Sequence, residues 1–312
     1  MMAKRGCGTT SARLGKPGFH LLAGLAIFLL FLVSCSPSIE ITTDRRALII
    51  GISSYQDANI KDLDWPSSDA NDMDILLKTQ GWTTSRMTDA QATLSKIETE
   101  MSSFFADMDK NSTALVYYSG HGTLSNDGYD GDPALVPNDF DFTTWKPLIT
   151  AADLSKMITD YIPTKNVIVV ADSCYSGGFV SSRESSDVIP QSYIPYGTNS
   201  SVSALAALGQ FGDLLAANAA EKGSLAPIVI SAAGNSELSY ETSALGNGVF
   251  TYYLLEAATG GDTNHDGFVT CTEAYTYAAK AIDANWNRIS SSSDAFYPHI
   301  SGGLRDLVLF TK

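Results

Sequence analysis

Four short apolar runs decide what this chain can become: Arg46–Ile52, Thr113–Tyr118, Asn166–Ala171 and Pro227–Ser231. Each is continuous rather than alternating, the pattern of strands buried on both faces, and stretches of helical length lie between them. Ser67–Gln80 reads as a helix opened by Ser67 or Ser68, with Met73, Leu76 and Leu77 as its apolar stripe and Gly81 as its stop. A strand near Trp82–Met87 and helices over 91–108 and 151–161 complete the alternation. The order predicts an α/β fold on a mostly parallel sheet. Periodicity weakens over 181–226, where about a third of 181–203 is serine. That segment reads as an exposed linker or insertion with one further helix over 204–220. No repeat of solenoid length is present.

The N-terminus reads as an export signal. Basic residues Lys4, Arg5, Arg13 and Lys16 precede an apolar run of 13 residues, Leu21–Val33. A spanning helix needs about 20 residues, so this run fits a signal-peptide core over 1–34. It ends in Leu32-Val33-Ser34-Cys35, which resembles the lipobox of bacterial lipoproteins. The resemblance implies that Cys35 becomes the lipid-bearing first residue and that 35–44 is a tether from the membrane. The expected location is the cell envelope, at the outer membrane, with the domain facing the periplasm or the surface. Lys and Arg number 20 against 34 Asp and Glu, a net charge of −14. The four basic residues that leave with the signal have no acidic partner there, so the mature charge falls by four to −18. Such a surface argues against nucleic acid as a partner. With Cys7 removed and Cys35 lipidated, only Cys174 and Cys271 remain, which excludes a disulfide scaffold and leaves reactive-thiol candidates.

In parallel sheets ligands bind at the carboxyl ends of the strands. The run ending at Tyr118 leads into Ser119-Gly120-His121-Gly122, and the run ending at Ala171 into Asp172-Ser173-Cys174-Tyr175-Ser176-Gly177. The first run leads to Asp69 at the next helix start. A Cys and a His on two such loops form a nucleophile and its base, and flanking glycines let a substrate backbone approach. Of the mature chain's histidines, His265 lies in another motif and His299 near the C-terminus, leaving His121 as the partner of Cys174.

These segments resemble the His and Cys motifs of metacaspases, the bacterial and plant relatives of caspases. The His precedes the Cys by 53 residues, close to the caspase separation of about 50. Further pieces match in Ala47–Ile52, Ser68-Asp69-Ala70, Ile230–Asn235, Leu238–Glu241 and Gly248–Glu256, so the resemblance covers about 45–260. It implies a caspase-like three-layer sandwich around a mostly parallel six-stranded sheet. Residues 45–180 would form the large-subunit region and 227–312 the small-subunit region. The implied activity is hydrolysis of peptide or protein substrates by a Cys-His dyad. Cys174 attacks the carbonyl, His121 protonates the leaving amine, and the backbone N–H groups of Gly122 and Cys174 hold the oxyanion. That chemistry needs no metal.

Metacaspases place acidic residues in the primary pocket, and the matching positions are Asp69 and Asp172. Caspases have Gln two residues before the Cys, and carry a basic residue after the aromatic of a small-subunit loop, where this chain has Glu241 after Tyr240. An acidic pocket favours Arg or Lys before the scissile bond and repels Asp. Relatives often cut themselves between the two halves, and Arg183 and Lys222 offer sites in the 181–226 linker.

A second motif, Asp262-Thr-Asn264-His-Asp266-Gly267-Phe268-Val-Thr270-Cys-Thr-Glu273, matches an EF-hand calcium loop over 262–273. Calcium takes about six to eight oxygens, here from Asp262, Asn264, Asp266, the Phe268 carbonyl, Thr270 and Glu273, with Gly267 at the sharp turn. His265 and Cys271 fall at non-ligand positions, which argues against zinc. Some metacaspases bind activating calcium near the active site through scattered acids. Asp127, Asp130, Asp132, Asp139 and Asp141 follow His121, but Ala151-Ala152 stands where further acids belong. Two alternatives remain open at this point. One is a catalytically idle caspase-like module that binds partners with calcium. The other is a protease of the same clan that prefers Asn, as legumains do.

Overall fold

The four apolar runs become the inner strands of one sheet. A computed structural model of the chain describes residues 44–126, 130–173, 227–232, 239–289, 295–302 and 306–312. Residues 1–43, with the expected signal peptide and all but the last residue of the expected tether, and the expected linker over 181–226 lie outside the described residues. In chain order the strands are β1 (Arg45–Gly51), β2 (Thr83–Thr88), β3 (Thr113–Ser119), β4 (Gly122–Asn126), β5 (Asp130–Leu135), β6 (Ile149–Thr150) and β7 (Asn166–Asp172). They continue as β8 (Ile228–Ser231), β9 (Glu241–Thr242), β10 (Asn247–Gly248), β11 (Phe268–Thr270), β12 (His299–Ser301) and β13 (Val308–Thr311). The helices are α1 (Pro66–Thr79), α2 (Leu94–Phe104), α3 (Ala151–Tyr161), α4 (Val249–Gly260) and α5 (Cys271–Ile282).

The main sheet has six strands in the order β12-β8-β7-β3-β1-β2. All pairings are parallel except β12 with β8. Every residue of β3 is buried, as a strand covered on both faces must be. From β1 the chain steps to β2 on one side, then crosses to β3, β7 and β8 on the other. Right-handed crossovers therefore put α1 on one face and α2 and α3 on the opposite face. Packing agrees: α1 meets α4, α4 meets α5, and α2 meets α3. This is an α/β architecture on a mixed, mostly parallel six-stranded sheet.

The change of direction between β1 and β3 is the switch point at which an open parallel sheet binds ligands. Register sharpens it. Gly51 pairs with Ser119, and Ser119 with Asp172, so three strands end level with one another. A methyl on Gly51 would lie 2.2 Å from the Pro66 carbonyl oxygen. Only glycine lets the first turn of α1 press so closely on the end of β1, which brings Asp69 over the sheet's rim.

Several boundaries differ from the expected ones. Pro66, not a serine, opens α1, since its missing N–H costs nothing in a first turn. Ser67 instead donates its hydroxyl to Asp89. The helix expected over 91–108 is shorter: a 3-10 turn, Asp89–Gln91, precedes α2, and Phe105 ends it. Among the described residues no helix is long and apolar enough to cross a membrane.

Candidate active site

His121 follows β3 after Gly120, and the loop between β1 and α1 holds it. Its ring Nε2 lies 2.7 Å from the Lys61 carbonyl oxygen, so that nitrogen carries the proton. The ring packs on Tyr55 with centroids 5.1 Å apart. Its backbone N–H donates to the Tyr55 hydroxyl at 2.8 Å. The Tyr118 hydroxyl donates to the carbonyls of His121 and Val136, at 2.7 and 2.8 Å. Burial chiefly, with the Lys61 ammonium nearby, lowers the imidazole from 6.5 to about 4, against the opposing pull of the Lys61 carbonyl and Asp62. The ring is thus neutral at physiological pH, with Nδ1 able to accept a proton. Gly122 is buried at the start of β4, paired with Leu135. Cys174 lies outside the described residues; Ser173, its neighbour, is buried just past the end of β7.

Asp69 and Asp172 are brought together. Both are buried, and each lies against Gly248: a methyl there would be 2.6 Å from Asp172 Oδ2 and 3.0 Å from Asp69 Oδ2. Asp69 accepts the Ser119 hydroxyl at 2.8 Å and the Gly248 N–H at 2.9 Å. Asp172 accepts the Ser239 hydroxyl, together with the Thr251 N–H at 3.2 Å and hydroxyl at 2.7 Å. Thr251 in turn bonds the Tyr117 hydroxyl at 2.6 Å. Every one of these donors is neutral. Among the described residues no Lys or Arg forms an ion pair with either carboxylate. Burial first, and then the charge of Asp172, pushes the Asp69 carboxyl well up; burial also raises Asp172, against its hydroxyl and amide donors. Two carboxylates this close share a proton more readily than they bear two charges. The Gly120 N–H donates to the Asp172 carbonyl at 3.1 Å, tying the pair's strand end to the His121 loop.

Glu241 and Tyr240 stand differently. Glu241 accepts the backbone N–H groups of Asp64 and Trp65 at 3.0 and 3.1 Å, and so fastens the end of the β1–α1 loop. Tyr240 packs on Trp286 and Phe296, with centroids 5.5 and 5.9 Å apart. Ser119, Gly248, Thr251, Ser239, Tyr55 and the Lys61 carbonyl are site groups that the sequence reading did not single out. Only Ser119 carried a signal, standing two residues before His121 as Asp172 stands two before Cys174.

Cys271 is fully buried, and burial holds its pKa well up. It is inert. Cys174 keeps the role of candidate nucleophile.

The 262–273 loop lies between α4 and α5. The Asp266 N–H donates to Asp262 Oδ1 at 3.1 Å and to Asn264 Oδ1 at 2.9 Å, so two of the expected donor oxygens meet at one nitrogen. Gly267 has φ of +89°, the conformation a sharp turn needs. Glu273 bonds the Thr263 hydroxyl at 2.8 Å and the Thr270 N–H at 3.1 Å. The Lys312 ammonium lies 3.7 Å from Asp262. The oxygen-only donor set and the turn fit calcium. Among the described residues, though, no three His, Cys, Asp or Glu side chains stand grouped as metal ligands. Closing the loop on an ion therefore requires Glu273 to leave Thr263. Asp139 caps Leu94, and Asp141 caps Thr143 and Thr144, so these two acids are spent on separate backbone turns. Asp127 and the side chain of Asp130 lie outside the described residues.

Comparison with known proteins agrees with this fold. The family model described as the caspase domain matches residues 44–293. No curated protein matches. Among solved structures, protein GSU0716 from Geobacter sulfurreducens superposes with a TM-score of 0.53 at 19% identity, covering 84% of this chain and 95% of that one. Caspase-1 from Spodoptera frugiperda does so with a TM-score of 0.51 at 15% identity, covering 87% of this chain and 93% of that one. At such identities the likeness is one of fold alone. A family match across most of the sequence leads to one conclusion: this chain belongs to the caspase domain family.

Proposed function

We propose that the chain is a cysteine endopeptidase of metacaspase type, exported and lipid-anchored through Cys35, that cuts peptide bonds after Arg or Lys. The observation that carries the reading is the buried Asp69–Asp172 pair, at the strand end next to the one that carries His121, with no Lys or Arg paired to it among the described residues. A guanidinium or ammonium entering there would release the shared proton and meet the pair's negative charge in a low-dielectric site, where such attraction is strongest. An acidic side chain would meet repulsion.

In this reading the Cys174 thiol gives its proton to His121 Nδ1 as the sulfur attacks the substrate carbonyl. Nε2 stays on the Lys61 carbonyl, which steadies the imidazolium while it forms. His121 then hands the proton to the departing amine, and water, activated by the same imidazole, releases the acyl group. The N–H groups of Gly122 and Cys174 receive the oxyanion.

Calcium in the 262–273 loop would supply positive charge among Asp262, Asp266 and Glu273 and brace α4 against α5. Asp262, Asn264 and Asp266 would bind through side-chain oxygens and Phe268 through its carbonyl. Thr270 and Glu273 would close the loop from the start of α5. The −18 mature charge suits a peptide carrying basic residues. Self-cleavage at Arg183 or Lys222 would follow from the same preference.

The test is a panel of peptides with Arg, Lys, Asn or Asp before the cleaved bond, assayed beside Cys174→Ala with and without calcium. Cleavage after Arg and Lys, lost in the variant, supports the proposal. A preference for Asn or Asp overturns the pocket assignment, and no cleavage by a folded protein overturns the enzyme itself.

A further inference from the structure

We propose that Tyr55 is a positioning residue for His121, fixing the imidazole through both the backbone and the ring face. For its kinetic consequence this rests on the peptidase reading; its structural content does not. The Tyr55 ring packs on the imidazole at 40°. Its hydroxyl accepts the His121 N–H at 2.8 Å and is hydrogen-bonded to the hydroxyl of Tyr118. Tyr118, on β3, donates to the His121 carbonyl at 2.7 Å. The two phenols therefore hold the N–H and C=O of one residue. Phenylalanine would fill the same space as Tyr55, so packing alone does not call for the hydroxyl. A buried hydroxyl must find partners, and those found here belong to His121 and to the residue that holds His121.

The loop that presents Tyr55 is itself pinned. The N–H groups of Ser53 and Ser54 donate to Asp89 Oδ1 at 2.8 and 2.9 Å. The Tyr55 N–H reaches Asp62 at 3.3 Å, and Asn138 donates to the Ser54 carbonyl at 2.6 Å. Glu241 holds the far end at Asp64 and Trp65. From this one loop His121 is held at its amide, its ring face and its Nε2. An imidazole free about two side-chain torsions would visit several staggered arrangements. Held at three points it keeps one, with Nδ1 aimed in a constant direction. Among the described residues the charged groups near the ring are Lys61 and Asp62, both from this loop, so any loosening changes the ring's surroundings as well as its aim.

The test is Tyr55→Phe in the full-length protein, read in three ways. With wild-type folding confirmed by the melting transition, kcat should fall about ten- to a hundredfold, as small misplacements of a catalytic group do. KM should stay within about twofold, as expected of a residue that acts through His121. Side-chain 15N spectra should show the His121 titration moving away from about 4 as the loosened ring shifts relative to Lys61 and Asp62. Unchanged kcat with an unchanged imidazole titration overturns the proposal, and so does a raised KM at constant kcat. If the wild type cleaves no peptide, the function falls, yet the 15N titration still decides the role of Tyr55. If Tyr55→Phe does not fold, exchange of the His121 amide in the wild type decides it. Slow exchange supports the bond to the phenol, and exchange as fast as exposed loop amides overturns it.

Discussion

Gly248→Ala places a single methyl group between the two carboxylates that define the proposed specificity. The backbone there, φ −57° and ψ 139°, is open to any residue, so no conformational strain enters. The whole effect is steric and electrostatic. The new carbon would stand 2.6 Å from Asp172 Oδ2 and 3.0 Å from Asp69 Oδ2, well inside ordinary contact. Neither carboxylate can swing away freely, because Ser119 holds one and Thr251 holds the other. Overpacking of this kind costs about 1–3 kcal/mol, and in a domain of this size each kcal/mol lowers the melting temperature by about 2–4 °C. The methyl also excludes solvent and pushes both carboxyls further toward the neutral form. Each unit of such a shift is worth about 1.4 kcal/mol, or tenfold in the attraction for a cationic side chain. Peptides with Arg or Lys before the cut should therefore lose about tenfold or more in kcat/KM. Alkylation of Cys174 by iodoacetamide should proceed at the wild-type rate, since the dyad is untouched. An Ala variant that keeps both its melting temperature and its preference for basic residues would refute the reasoning, because it would place the substrate's charge elsewhere.

Asp69→Asn should raise the melting temperature at pH 7 while abolishing cleavage after Arg and Lys. The folded protein raises this carboxyl above its unfolded value, so its contribution to stability is fully present below the unfolded pKa and lost as pH rises through the folded one. The amide removes that loss, and its oxygen and nitrogen can still serve Gly248 and Ser119; a gain no larger at pH 7 than at pH 4 would count against the shared-proton picture. Thr251→Val removes a hydroxyl bonded to both Asp172 and Tyr117, and urea unfolding should show a loss of about 1–3 kcal/mol. Calcium at a hundredfold excess over its dissociation constant should stabilise the protein by about 2.7 kcal/mol in a melting assay. Asp262→Ala should remove that response, and an unaltered response would dismiss the loop as the site.

Much of the fold was readable because its strands are buried on both faces. Such strands write continuous apolar runs, and the ends of those runs delivered His121, Asp69 and Asp172 to one rim. The edge strand β12, three residues long, was not readable, since a partly exposed segment of that length carries no period. The cap of α1 was misread because serine's strong preference for helix starts competed with a proline at the first turn. The occupation of Glu241 by two backbone amides was not legible in the sequence, since it depends on a loop 176 residues away in the chain. The holding of His121 was hidden for the same reason: Tyr55 is 66 residues distant and meets the histidine only after the sheet has formed.

Helix α4 starts at the carboxylate pair, through Gly248 and Thr251, and stops at the acidic loop, through Gly261 and Asp262. Its 12 residues make a rod of about 18 Å at 1.5 Å per residue. Each residue added or removed would turn one end against the other by about 100° and shift it by about 1.5 Å. The pocket donors and the loop donors would then no longer face their partners together. This helix is thus a ruler for the molecule: substitutions along its exposed side are tolerable, whereas a change in its length is not.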